Sequence, residues 1–214
     1  MNSKIKTLSV AAALAASLGL AGCAADSGST GGSTMPMNHS SGPASSMMPD
    51  ASAGHNPADI AFSQMLIPHH AQAVQMARLA DEHAQDKRVR TLAERIGAGQ
   101  APEIQTMAAW LKQRDMEVPR AGEAPGKYDH SKHGHNAMMG MLTPAEMRRL
   151  AAARGTEFDR LFLRGMIHHH RGAVAMSQQA ARDSVDVIVG EMTADVNATQ
   201  TAEIDRMRDL LAQL

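Results

Sequence analysis

Two short clusters of soft ligands set the chemistry open to this chain. His69-His70 is followed by Met76, and His169-His170 by Met176. Imidazole nitrogen and thioether sulfur suit copper, whereas magnesium and calcium require oxygen donors. At helical spacing Phe62, Met65, Leu66, His69, Ala73, Met76 and Ala80 share one face, with His69 and Met76 stacked two turns apart. Phe162, His169, Ala173, Met176 and Ala180 reproduce that face. A lone inward His is usually a hydrogen-bonded core residue and a lone inward Met a filler; it is the recurrence of the pair that points to metal. His70 and His170 fall toward the edge of the stripe, as ligands or an entry relay. His168, which replaces Pro68, is expected to be exposed.

A second pair of faces carries Ile96, Gln100, Glu103, Met107 and Leu111, then Val196, Gln200, Glu203, Met207 and Leu211. A carboxylate on an apolar face needs a partner. Glu103 and Glu203 are therefore expected to accept a hydrogen bond from a histidine ring or to touch a metal themselves, the orienting role being favoured. Met107 and Met207 add further thioethers. Between the two halves, His130, His133 and His135 alternate ahead of Met138, Met139 and Met141. The first group suits oxidised copper and the second reduced copper, an auxiliary site.

The elements that must position these residues follow from capping and periodicity. Asn56-Pro57-Ala58-Asp59 opens a helix predicted to run to His83, and a second is predicted from Asp86 to Met116. Thr143-Pro144-Ala145-Glu146 is a capping-box start for a third helix to Arg182, with a fourth from Val185 to Leu214. Sliding the chain on itself by 100 residues pairs Asp59, Phe62, His69, His70 and Met76 with Asp159, Phe162, His169, His170 and Met176. The expectation is an all-α four-helix bundle built from two tandem duplicated hairpins with approximate two-fold symmetry. Repeat one spans 57–116, a His/Met-rich linker 117–142, and repeat two 143–214. Pro68 and Pro102 have no counterparts in the second repeat and are expected to kink the first and make the two sites unequal.

Ahead of the domain, Lys4 and Lys6, an apolar run from Leu8 to Leu20, and Leu20-Ala21-Gly22-Cys23 form a lipoprotein signal. Residues 1–22 would be removed and Cys23 lipidated, leaving membrane attachment to acyl chains alone in the cell envelope, facing the periplasm or the exterior. Residues 23–56 have the Ser/Gly-rich composition of a tether, in which Met35, Met37, His39, Met47, Met48 and His55 could capture metal transiently. With Cys23 consumed, no thiolate remains, so a soft site must use Met and His. The net charge of -1 argues against nucleic acid. Seventeen Met against three Phe, one Tyr and one Trp needs a reason, either as flexible core filler or as soft thioether ligands, and position must decide between the two.

Met139-Gly140-Met141-Leu142, Glu157-Phe158-Asp159-Arg160-Leu161-Phe162-Leu163 and Met166-Ile167-His168-His169-His170-Arg171-Gly172-Ala173-Val174-Ala175-Met176 resemble the bacterial family known as domain of unknown function 305. The resemblance covers about residues 57–214. It implies a ferritin-like bundle, an envelope location and, as in the family's copper-binding periplasmic members, copper held by His69, His70, Met76, His169, His170 and Met176. The first repeat departs from the pattern at Pro68 and at Ala71-Gln72. The expected function is non-enzymatic: a lipoprotein that sequesters copper or hands it to a protein partner, Cu(I) favoured and Cu(II) also accommodated. One alternative is a di-iron oxidase, for which the inward Glu-x-x-His pairs are missing. The other is an interaction or structural lipoprotein whose histidines merely satisfy core hydrogen bonds. A monomer is expected, because both halves lie in one chain.

Overall fold

The computed structural model describes residues 54–120 and 139–214. Cys23, Met35, Met37, His39, Met47, Met48, His130, His133, His135 and Met138 lie outside the described residues. Among the described residues five helices form: α1 (Pro57–His83), α2 (Lys87–Lys112), α3 (Pro144–Ala152), α4 (Gly155–Asp183) and α5 (Val187–Ala212). None among the described residues is long and apolar enough to cross a membrane.

The helix starts obey local chemistry. Asn56 Oδ1 accepts the Ala58 and Asp59 amides at 2.9 and 3.1 Å, and Asp59 Oδ2 accepts the Asn56 amide at 2.7 Å. That reciprocal box, with Pro57 in the first turn, fixes where α1 begins. Thr143 and Glu146 repeat the device at α3, while Asp86 and Asp186 cap α2 and α5. α1 continues through Pro68, and α2 through Pro102. Neither proline ends its helix.

The predicted third helix is two. α3 stops at Ala152, and α4 restarts at Gly155 with a left-handed φ of 64°. The break lets α3 lay Leu150 into the core while α4 keeps the register that brings Asp159 to the α1–α2 turn. There Asp159 accepts the Gln85 and Asp86 amides at 3.1 and 2.9 Å. Its counterpart Asp59 accepts the Ser184 hydroxyl of the α4–α5 turn at 2.5 Å. Each hairpin thus grips the turn of the other.

The four long helices make an antiparallel bundle in which α1 packs on α2, α4 on α5, and α1 on α4. Residues from 61 to 70 are all buried, because α1 is covered on two sides. The core divides into two apolar halves. One gathers Met76, Ile96, Phe162 and Met207; the other gathers Met176, Val196, Phe62 and Met107. Members of one half are the 100-residue images of members of the other, so a two-fold axis runs between α1 and α4.

Replacing Asp159, which is 1 % exposed, by Ala would strand two backbone donors at a cost of about 2–3 kcal/mol. Urea unfolding should show a lower midpoint with an unchanged slope; an unchanged midpoint would mean the grip contributes nothing.

Candidate metal centre

Between the two apolar halves lies a layer of four fully buried imidazoles: His69 and His70 from α1, His169 and His170 from α4. The helices cross there. His69 and His169 stack with ring centroids 3.7 Å apart and planes tilted by 36°. His70 and His170 sit outside the stack, their centroids 6.4 and 6.2 Å from their chain neighbours. The sequence placed these two at the edge of the buried stripe. They are instead 0 % exposed, since α1 and α4 each contact both the hairpin partner and one another.

The polar partners fix the protons. His70 Nε2 donates to Glu103 Oε2 at 2.6 Å, and His170 Nε2 donates to Glu203 Oε2 at 2.7 Å. Both glutamates therefore orient an imidazole, as the sequence predicted. His69 Nε2 donates to the Met139 carbonyl at 3.0 Å, an atom that can only accept. With Nε2 protonated in all three rings, the free lone pair is on Nδ1. Those Nδ1 atoms are buried with no protein partner among the described residues, as are both ring nitrogens of His169. Orphaned buried acceptors are uncommon and ask for a ligand.

Burial pushes His69 down to about 3, helped by the neighbouring His70 and opposed by the Met139 carbonyl. Burial likewise holds His169 well below its ordinary value, with His69 next in effect. His170 is lowered by burial against the pull of Glu203. At neutral pH His69, His169 and His170 are thus held in the deprotonated form that metal ligation requires.

Met76 and Met176 are buried, on the inward face of α1 and α4 with His69 and His169. Met76 is seven residues from His69, about 10.5 Å along a helix axis, and it packs in an apolar half with Met207. Met176 packs with Met107 in the other half. Each apolar half thus draws thioethers from both hairpins. No three His, Asp or Glu side chains converge as a ready metal cage among the described residues. His168 is exposed, as expected, and the His55 ring packs edge-on against Trp110 at 5.9 Å.

One feature escaped the sequence reading altogether. Residues 139–142 lie as a strap across the α1–α4 seam. Gln72 clamps Leu142 from both ends, its Nε2 donating to the Leu142 carbonyl at 2.9 Å and its Oε1 accepting the Leu142 amide at 2.8 Å. Opposite, a Cβ at Gly172 would stand 1.8 Å from the Met139 oxygen, so only glycine permits the contact. Gln72 and Gly172 are 100 residues apart: the departure at Ala71-Gln72 is what holds the strap, and Gly172 is what admits it. Met141 packs beside Ala61 and Met65, and Met139 leaves its side chain 39 % exposed. The sequence reading also gave no role to Gln100 and Gln200, whose amides are buried without hydrogen-bond partners among the described residues. Their signal was a polar residue recurring on an apolar face.

An antiparallel helical bundle with a buried, neutral imidazole layer and flanking thioethers is the class of protein these features define. The chain belongs to the family described as Domain of unknown function (DUF305), whose model matches residues 59–211. It is similar to a DUF305 protein from Streptomyces coelicolor, with 30% identity, TM-score 0.65, and coverage of 73% of this chain and 93% of that one. A DUF305 fragment from Deinococcus radiodurans gives 31% identity, TM-score 0.63, and coverage of 75% and 99%. CopM in the Cu(II)-bound form gives 30% identity, TM-score 0.57, and coverage of 72% and 96%. Among curated proteins nothing matches the chain.

Two outcomes test this geometry. Gly172→Ala should displace the strap and free His69 Nε2, visible as a changed His69 ring signal in NMR and a stability loss of about 1–3 kcal/mol. An unchanged ring signal would show that the strap does not hold His69. Second, the lowered histidines bind fewer protons folded than unfolded. Stability is therefore whole above the unfolded value of 6.5 and falls as pH drops toward the folded value of about 3. The slope for His69 is about 1.4 kcal/mol per pH unit. A urea midpoint constant between pH 7 and 4.5 would contradict the buried neutral ring.

Proposed function

We propose that this chain is an exported, lipid-anchored protein that binds copper in the cell envelope, for sequestration or for transfer to a copper-handling partner, and that it is not an enzyme. The observation that carries the reading is the layer of four buried imidazoles whose Nδ1 atoms have no hydrogen-bond partner among the described residues, with Nε2 engaged in His69, His70 and His170. CopM, similar to this chain, has Cu(I)-bound, Cu(II)-bound and silver-bound forms. That likeness supports copper as the cargo here.

The donors fit a soft, low-charge ion. Neutral imidazole and thioether bring no negative charge into the core, so Cu(I) is favoured and Cu(II) accommodated. Glu103 and Glu203 hold the outer rings and raise their basicity, as carboxylates do behind metal-bound histidines. The thioethers of Met76, Met107, Met176 and Met207, buried in the two apolar halves, are further soft donors of the same bundle. The His/Met run from His130 to Met141 and the methionines of residues 23–56 would serve as exchange ligands on the way in and out. The duplicated 100-residue pattern supplies the donors in pairs. Attachment through Cys23 would keep the domain at a membrane surface, and no nucleic-acid partner is part of the reading.

The test is retention of Cu(I) by the full chain against a Cu(I) chelator. Glu203→Gln should weaken retention by roughly 10–100-fold, and His70→Gln with His170→Gln should remove the tightest-held copper. Retention unchanged in both would move the ligands out of the bundle and sink the proposal.

A further inference from the structure

The two-fold relation between the hairpins breaks down where the layer meets solvent. One groove between α2 and α5 leads to Glu103. It is a cavity of about 150 Å³ lined by Leu66, Glu103, Thr106, Met107, Met192, Asp195 and Val196. A second groove between α2 and α5 holds Leu92, Arg95 and Arg206 among its lining residues. These are the 100-residue counterparts of Met192, Asp195 and Thr106. A thioether, a carboxylate and a hydroxyl at one mouth are thus exchanged for an isobutyl group and two guanidinium groups at the other.

The chemistry of the first mouth is specific. Two thioethers, Met107 and Met192, are packed in the same apolar half of the core. Two carboxylates lie beside them. One is Glu103, whose Oε2 accepts from His70, a ring fully buried with its other nitrogen unpartnered. The groove therefore communicates with the imidazole layer through a single hydrogen-bonded pair. Sulfur with nearby negative charge draws a soft monovalent cation; neither feature alone would. At the second mouth Arg95 and Arg206 set two fixed positive charges in the approach, which repel any cation whatever its softness.

We propose that the groove at Glu103, Met107, Met192 and Asp195 is a surface site for a soft monovalent cation and the loading mouth of the imidazole layer, and that its image at Arg95 and Arg206 is closed to cations. This rests on the reading of the layer as a copper site. The two ends of the layer are then unequal: an ion enters past Met192 and Glu103, and the Glu203 end has no matching entrance.

The experiment uses the full chain, metal-free, with ¹³C-methyl methionine and ¹⁵N histidine, titrated with silver(I) as a redox-inert probe. Met107 and Met192 methyl signals should move at the lowest silver(I), before Met207, with the His70 ring following. Met192→Leu with Asp195→Arg, which copies the second mouth onto the first, should abolish the early shifts and slow loading of the rings by about tenfold or more. Asp195→Asn, at an exposed position, provides a gentler variant that should slow loading less. If the rings respond while the Met107 and Met192 methyls do not, or the exchanged variant loads at the wild-type rate, the mouth is wrong and the copper layer stands. If rings and methyls are all silent, both readings fall.

Discussion

The stack of His69 on His169 is the constraint from which the rest follows. Two aromatic bases 3.7 Å apart in a dry core can sit together only if neither is charged. Burial enforces this, and the surrounding atoms are arranged accordingly: a backbone carbonyl holds one proton in place, and carboxylates stand behind the outer rings, not in the stack. The crossing point of α1 and α4 is thereby fixed, because the stack allows no sliding of one helix along the other. Everything apolar then falls to one side or the other of that plane.

Much of this was legible in the chain. Asn56-Pro57 and Thr143-Pro144 announced two helix starts through chemistry local to four residues, and α1, α2 and α5 form close to where periodicity placed them. The pairing of Glu103 and Glu203 with histidines followed from the cost of burying a lone carboxylate. The break at Gly155 was not legible, because a run of alanines reads as helix, and only the demand that Asp159 meet the α1–α2 turn interrupts it. Pro68 was expected to remove a backbone hydrogen bond within the first helix, and α1 runs through it from Pro57 to His83. Its missing hydrogen bond is tolerated inside a segment buried on every side.

The methionines show the limit of reading one helix at a time. Spacing along α1 correctly set Met76 on the face of His69, but which sulfur approaches which half of the core depends on the other hairpin. Met76 shares its half with Met207 of α5 as well as with Val89, Leu92 and Ile96 of the second helix of its own hairpin. Likewise Gln72 and Gly172 looked like decay of a pattern. They are the two complementary halves of a clamp, one supplying hydrogen bonds and the other supplying room.

The connections between α1 and α2 and between α4 and α5 are each three residues long. Contacts within a hairpin are thus close in sequence and form early, as local contacts do. His70–Glu103 and His170–Glu203 are of this kind, each 33 residues apart. The His69–His169 stack spans the whole offset and exists only after the hairpins have docked. A half-molecule can orient its imidazoles but cannot complete the layer. The centre needs both hairpins docked, and any ligand that needs both sides of the stack reports on whether they are.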